Sequence, residues 1–523
     1  MSAAAAPAGR HRRSGPGLPE PPSDAEKASY AWRSLPSLAA ALSVGTLCVI
    51  VAQLLFEARN LDSVPVAAGV FGGYTLIYLA YQLLSLPVNH AGPSFDAAAH
   101  DALVRSWRPA RLPSVDILLP ACGEPAEVLR NTWAGVLQLI AAYPGEARGY
   151  VLDDGPDPEL APMAARFGFT YLRRPDLRWR RKAGNLNYAF ARTGGQHIAI
   201  FDAGFRPRPD FLAETLPYFD DPAVGIVQTP QFFRAGRQSW VERGAGPVLE
   251  VFDRAGQVSR NRFSSALCVG SNAVYRRAAL EPTGGFALLP YAEDPHTGLD
   301  ARNNGYRLTY VPMPLAAGVC PATLEEFLWQ QYRWCCRATS LVWTWHMWRV
   351  PMPLAARLPY LAGWLWNLTT ALRMLILPLI PVTLLALAPG EISLRNALLL
   401  IPAVLSAVVL YPLWRGSRHS LRIWPLSLAI GWAQALGLWD FARGRVRPWA
   451  PAGGRGGATR RFWWGVTTWN GGLAIAWIVL ALWRIAATGS GRFVIVAAFG
   501  AGYLVIVGRL IFAGRRPAAG QVP

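Results

Sequence analysis

Residues 100–322 read as an α/β domain set between two groups of membrane-spanning α-helices. Uncharged apolar runs of spanning length flank the segment, and within it short apolar strands alternate with longer polar or amphipathic stretches. The totals agree, since 52% of the 523 residues are hydrophobic and the mean hydropathy is positive, as in polytopic membrane proteins. The net charge of +19 is spread as Arg near the ends of apolar runs. Cytoplasmic loops of membrane proteins have that distribution, so nucleic acid is not an expected partner.

Residues 1–34 are rich in Ala, Pro, Gly and Ser and contain Arg10, Arg12 and Arg13. No apolar core follows closely enough for a signal peptide, so a disordered cytoplasmic tail is expected. Residues 35–88 hold two transmembrane helices, Leu35 to Phe56 and Val64 to Val88. The positive-inside tendency then places both the N-terminus and the following domain in the cytoplasm.

Candidate strands in the domain are Val115 to Leu119, Tyr150 to Leu152, Phe169 to Leu172, Ile198 to Phe201, Val224 to Val227 and Arg307 to Val311. Their alternation with helical stretches predicts a largely parallel sheet. Asp153, Asp154 and Asp202 follow strands, which places them at the carboxyl-end crevice where such sheets bind ligands.

Residues 323–366 read as interface helices. Thr323 and Glu326 have capping-box spacing, so a helix starting there carries Gln330-Gln331-Tyr332-Arg333-Trp334. On it Gln330, Arg333, Trp334 and Arg337 share a face whose amide, cations and flat aromatic suit a phosphate beside a sugar ring. Trp343, Trp345, Trp348, Trp364 and Trp366 follow, a density suited to the membrane surface. Two spans fill 367–414, at about 368–389 and 396–414. Two more, at about 467–487 and 493–512, fill 467–523 ahead of a short cytoplasmic tail. If Ile423 to Leu438 crossed, the loop bearing Arg443, Arg445, Arg447, Arg455, Arg460 and Arg461 would lie outside the cell. Residues 415–466 are therefore read as an interface helix and an Arg/Gly-rich loop.

Lys27 and Lys182 are the only lysines. With Lys27 assigned to the tail, Lys182 is expected to be the one lysine of the folded part, at a site that needs a compact ammonium. The six cysteines lack CxxC spacing, so reduced thiols are expected. Asp153-Asp154-Gly155 closes a strand, KAGNLN from Lys182 suits close approach to phosphates, Asp202 suits a metal or a ribose, and Glu293-Asp294 suits a general base. Singly, each has an ordinary explanation as a turn, a helix start or a solvated loop. Their order is more specific.

With DDG at 153–155, KAGN at 182–185, DAG at 202–204, QTPQ at 228–231, AED at 292–294 and QQYRW at 330–334, the chain resembles a processive family-2 membrane glycosyltransferase of the bacterial cellulose synthase type. The resemblance runs from about 112 to 340. It implies a GT-A fold and an inverting enzyme that uses a nucleotide sugar, UDP-glucose first, to elongate and export a β-linked polysaccharide such as cellulose. It implies Asp294 as catalytic base, with Asp153, Asp154, Lys182, Asp202, Gln330 and Arg333 at the donor. Trp334, Gln228 and Glu293 fall at the acceptor, and Asp202 is the ligand for Mg²⁺ or Mn²⁺. The implied partners are the donor, the growing glycan, membrane lipids and accessory export subunits, at the plasma (inner) membrane with the catalytic domain cytoplasmic.

The chain departs from the family pattern at Gly204, where the second DxD acid is missing, at Ala292 and at Gln231. His296 is a candidate to assist the metal, which would favour Mn²⁺, and Gly204→Asp is expected to strengthen metal binding. RPWAPAGGRGGATRRFWWG stands where the family's gating loop has an FxVT form. With no soluble domain after Arg516, control by cyclic-di-GMP within this chain is not expected. Two other readings stay open: single-sugar transfer to a lipid acceptor, and a catalytically impaired scaffold or channel subunit.

Overall fold

The computed structural model describes residues 18–31, 45–53, 55–57, 64–89, 95–234, 239–398, 401–405, 409, 423–447 and 457–514. The central domain contains β1 (Val115–Ala121), β2 (Ala147–Asp153), β3 (Thr170–Arg173), β4 (His197–Ile200), β5 (Arg206–Pro207), β6 (Val224–Gln228), β7 (Phe232–Arg234), β8 (Ala273–Arg276), β9 (Arg307–Tyr310) and β10 (Ala316–Val319). Seven form one sheet in the order β3-β2-β1-β4-β8-β6-β9, and β5-β10-β7 form a smaller one. The large sheet is parallel except at β8, which runs antiparallel to both β4 and β6. All six expected strands are present. The other four are short and built partly from Ala, Gly or Arg, so they carry little apolar periodicity.

Both faces of the large sheet are covered, which is why its strands read as continuous apolar runs. Ile117 and Leu119 of β1 pack with Leu129 and Trp133 of the helix Ala126–Ala142. Leu118 points to the other face and packs with Leu186 of the helix Arg181–Phe190. Each such side chain contributes about 1.5–3 kcal/mol by leaving water.

The helix Leu324–Trp343 begins at the expected capping box, Glu326 N donating to Thr323 Oγ1 at 3.2 Å and Thr323 N to Glu326 Oε2 at 3.3 Å. Phe327, Leu328, Tyr332 and Cys336 pack it against Leu426, Ala429, Ile430 and Ala433 of the helix Ile423–Ala442. At the end of that helix, buried Asp440 gathers Tyr332 Oη at 3.1 Å, Arg447 Nε at 3.1 Å and Arg461 Nη1 at 3.5 Å. Both described flanks of the Arg/Gly-rich loop are thereby tied to the Leu324–Trp343 helix. Residues 448–456 of that loop lie outside the described residues.

Among the described residues, four helices are long and apolar enough to cross a membrane: Pro65–Ser85, Leu354–Leu387, Arg460–Thr488 and Arg492–Phe512. Gly45–Glu57 is a shorter apolar helix, and most of the expected span at 396–414 falls outside the described residues. The helix Leu354–Ile376 runs unbroken through position 366, where the sequence reading divides interface helices from spans. Arg484 donates to Leu385 O at 2.9 Å and Ala386 O at 3.2 Å, so this cation faces helix-end carbonyls as intramembrane arginines must.

Residues 18–31 correct the expectation of a disordered tail. The helix Asp24–Ala31 docks on the domain. Lys27 pairs with Asp210 at 2.9 Å and with Glu214, Asp24 with Arg208 at 2.7 Å, and Glu26 with Arg234 at 2.8 Å. Tyr30 is buried edge-on against Phe232, and Asn131 Nδ2 donates to Pro19 O at 3.0 Å. Polar composition shows that a segment cannot fold on its own, and says nothing about docking by charge onto a folded surface. Lys182 is therefore not the sole lysine of the folded part.

Candidate active site

The crevice lies where the sheet topology puts it, beyond the carboxyl ends of β2, β4 and β6. Asp202 follows the end of β4, its backbone N bonded to Ser271 Oγ at 3.0 Å, and its carboxylate meets Lys182 Nζ at 2.5 Å. Lys182 also donates to Gly270 O at 2.7 Å. Burial pulls the Lys182 pKa down, but Asp202, Glu293 and Asp294 outweigh it and hold the ammonium above its ordinary value. Lys182 and Asp202 keep 23% and 34% of their side chains exposed, so the pair faces the crevice.

Asp294 lies in the first turn of the helix Glu293–Asn303. Its Oδ2 meets Arg337 Nη1 at 2.9 Å, while buried Oδ1 has no protein hydrogen bond. Burial drives its pKa up to about 7, against the pull of Arg337 and with Glu293 adding to the rise. Gly270 has φ +79°, and a Cβ there would stand 2.8 Å from Asp294 Cβ. Only glycine suits both that backbone and that approach. Arg333 Nε and Gln330 Oε1 are buried without partners. Burial, ahead of repulsion from Arg337, lowers the Arg333 pKa to about 10. Glu293 is buried beside these cations, and half-buried Trp334 packs at the edge of the cluster that joins the two long helices.

The structure thus gathers Lys182, Asp202, Glu293, Asp294 and Arg333, with Gln330 on the same helix as Arg333, and it puts Gln228, Asp153, Asp154, His296 and Gly204 in settings other than those expected. Gln228 is fully buried. Its Nε2 donates to Ser271 O at 2.8 Å and Thr229 O at 2.9 Å, and its Oε1 accepts from Val269 N at 3.0 Å. Spent on backbone, it shapes the loop before β8 and does not reach an acceptor. Asp153 and Asp154 are buried too. Asp153 accepts from Tyr171 Oη at 2.6 Å and Arg173 Nη1 at 2.5 Å, and Asp154 takes a two-pronged contact from Arg174 at 3.0 and 2.9 Å plus Arg178 N at 2.7 Å. These acids orient the crevice wall from inside.

His296 is far from a metal role. Its Nδ1 meets His346 Nδ1 at 2.6 Å and its Nε2 meets Ser340 Oγ at 3.0 Å, because two residues along a helix turn the side chain about 200° away from Asp294. Gly204 sits at φ +94°, and a Cβ there would face Val319 and Val128 at 3.5 and 3.7 Å. A side chain at that position would enter an apolar contact.

Sequence reasoning placed Arg337 on the phosphate-binding face beside Arg333 but missed its pairing with Asp294. It also missed Gly270, for which only the small GSN turn was a signal. Among the described residues no three His, Cys, Asp or Glu side chains converge on a metal. Asp202, with its buried Oδ1 bonded to no hydrogen-bond donor other than the Lys182 ion pair, fits a hard cation as a single carboxylate ligand whose remaining ligands are phosphate and water oxygens.

Residues 197–508 match the family model described as glycosyl transferase family group 2. Over 272 residues, 51% of this chain, the sequence is 36% identical to cellulose synthase 1 of Komagataeibacter xylinus, covering 17% of that protein. Over 266 residues, 50% of the chain, it is 33% identical to the UDP-forming cellulose synthase catalytic subunit of Xanthomonas axonopodis pv. citri, covering 35% of it. The matches thus span between about a sixth and about a third of these relatives. The solved mannosyltransferase PcManGT from Pyrobaculum calidifontis, in complex with GDP-Man and Mn²⁺, aligns at 19% identity and TM-score 0.47, covering 74% of this chain and 99% of that one.

Proposed function

The chain belongs to glycosyl transferase family group 2, and from that premise we propose that it is an inverting, GT-A-type membrane enzyme that extends a β-linked glucan from UDP-glucose and passes the product outward. The observation that carries this reading is Asp294: a buried carboxylate with a pKa near 7, one oxygen on Arg337 and the other without a partner. A base so placed takes the proton of an acceptor hydroxyl as that oxygen bonds to the donor's anomeric carbon. The bond from that carbon to the diphosphate breaks, the nucleoside diphosphate leaves, and attack opposite the leaving group inverts the anomeric configuration.

Lys182 and Arg333 supply fixed positive charge to the departing diphosphate, and Arg333 reaches it with an Nε that has no internal partner. Gln330 supports the donor, and Trp334 and Glu293 line the acceptor side. Asp202 would hold one Mg²⁺ or Mn²⁺, which contributes charge neutralisation at the diphosphate when bound. The retained Lys182, Asp294 and Arg333 cluster argues against an impaired scaffold, because burying these charges is costly without a chemical use. The Arg-rich flanks of its spans support a catalytic domain on the cytoplasmic side of the inner membrane, and lipids and accessory export subunits are the further partners of this reading.

Incubating the purified chain with labelled UDP-glucose and sizing the product tests the proposal. A polymeric β-glucan is expected. A single-sugar lipid product would replace the processive reading with transfer to a lipid, and transfer from another nucleotide sugar alone would overturn the donor.

A further inference from the structure

Four polar side chains that serve neither donor nor acceptor form one continuous line beside the Asp294 helix. Asp300 Oδ1 meets His346 Nε2 at 2.9 Å, His346 Nδ1 meets His296 Nδ1 at 2.6 Å, and His296 Nε2 meets Ser340 Oγ at 3.0 Å. Ser340 Oγ in turn donates to Arg337 O at 2.8 Å. The two imidazoles stack with centroids 4.9 Å apart and planes 24° from parallel.

The line joins three elements. Asp300 and His296 stand on the helix Glu293–Asn303, which carries Asp294. Ser340 stands on the helix Leu324–Trp343, which carries Arg333 and Arg337. His346 opens the short helix His346–Arg349, reached through Trp345 at φ 62°. A left-handed backbone is costly for a tryptophan, and strain of that kind persists where the surroundings impose it. Here it turns the chain back so that His346 meets His296.

His296 is 1% exposed, and a buried imidazole is tolerable only when its nitrogens are bonded. Both of them are. The Nδ1 to Nδ1 contact needs one proton between the rings, so it orients both. The charged group facing the pair is Asp300, which acts on His296 and pairs with His346. Burial, followed by His346, lowers the His296 pKa to about 4, which keeps that ring neutral under ordinary conditions.

We propose that His296 and His346 are positioning residues for transfer: their paired rings, through Ser340, lock the helix carrying Asp294 to the helix carrying Arg337 and thereby fix the contact between those two side chains. The proposal rests on Asp294 being the base. Neither histidine touches a reacting atom. What they set is the Asp294 to Arg337 distance, and through it the pH at which the base becomes available.

The test is the pH profile of kcat/KM for UDP-glucose with the full chain in its wild-type, His346→Ala, Asp300→Asn and Asp294→Asn forms. In His346→Ala and Asp300→Asn the KM for donor should stay within twofold while kcat falls about tenfold. The acid limb should move upward by roughly one unit, because a loosened guanidinium no longer lowers the carboxyl pKa. A merely structural role would lower activity without moving the limb. Should His346→Ala fail to fold, Asp300→Asn at a partly exposed position decides alone. Limbs that do not move while Asp294→Asn is inactive would overturn the positioning role and leave the base standing. Full turnover by Asp294→Asn would overturn the base and this proposal together.

Discussion

A carboxyl group whose pKa lies near 7 is half ionised at neutral pH, so the availability of Asp294 as a base should itself titrate there. Activity is expected to rise with pH through an acid limb near 7, because only the ionised form accepts a proton. Asp294→Asn should lower kcat by about 10²-fold or more while leaving donor affinity within a few-fold, measured by turnover and by UDP binding. Stability has the opposite sign. Burial raises the folded pKa above the unfolded one, so the group's contribution is fully present in acid and lost as pH rises through about 7. The amide variant should therefore melt no lower than wild type at pH 8. Lys182→Arg keeps a charge, but a broad guanidinium fixes its donors in one plane, whereas the compact ammonium turns its donors toward both Gly270 O and Asp202. A fall of about tenfold in kcat/KM is expected, and wild-type kinetics would show that the ammonium is not specifically required. Lys182, Asp202 and Asp294 were legible in the sequence because each sits next to a strand end or helix start. Gln228 and His296 were misread because a polar side chain facing inward and one facing the crevice look alike until burial is known.

Elements repeat that lesson in the loops after the strands. The turn Asp202-Ala203-Gly204 reads as a metal motif missing an acid, which suggests that restoring the acid would restore the ligand. Its backbone says otherwise. Gly204 has φ +94°, its N–H accepts no substitute geometry because it donates to Thr132 Oγ1 at 3.0 Å, and a new side chain would point at Val319 and Val128. Gly204→Asp is now expected to cost about 1–2 kcal/mol of stability without lowering the metal concentration for half-maximal rate. Thermal unfolding and a Mg²⁺ and Mn²⁺ titration of activity check both halves. Metal dependence itself is still expected through Asp202 and the donor phosphates, so excess EDTA should stop transfer. Strand β8 was invisible for a related reason. Only Ala273, Val274 and Tyr275 mark it as apolar, yet it sits between β4 and β6, and the turn at Gly270 leading into it forms the floor beneath Asp294. The Leu324–Trp343 helix was legible to its cap because capping boxes are local, whereas its partner residue Asp440 lies about a hundred positions away and nothing local announces it.

On the scale of the whole molecule, hydropathy identified the membrane character and alternation identified the α/β domain, since both are properties of contiguous sequence. How the N-terminal segment meets that domain is not such a property. Lys27 lies between Asp210 and Glu214, and Glu214 also receives His100 Nε2 at 2.6 Å from the helix Ala97–Ser106 that follows the Pro65–Asn89 helix. One carboxylate therefore ties together the N-terminal helix, the segment leaving a candidate span and the catalytic domain. Burial works against the ionised forms of Asp210 and Glu214, but hydrogen bonds from Arg208 and Lys27 to the first, and from His100 and Lys27 to the second, hold both carboxyls below their ordinary range. A depressed pKa means that their stabilising contribution is full above the ordinary carboxylate range and is lost as pH falls below it. Lys27→Met keeps the length of the side chain and removes the charge, leaving Asp210 with Arg208 and Glu214 with His100 as their remaining partners in a partly buried setting. The variant should be less stable by about 1–3 kcal/mol at pH 7, between the values for exposed and fully buried pairs. That difference should narrow toward zero in acid, where the carboxyls protonate and no longer need the ammonium. Thermal unfolding of both proteins across pH 3 to 8 measures it, with limited proteolysis at residues 18–31 reporting whether the segment has left the surface. Equal melting temperatures at pH 7 would mean that the docked helix contributes nothing to holding the domain.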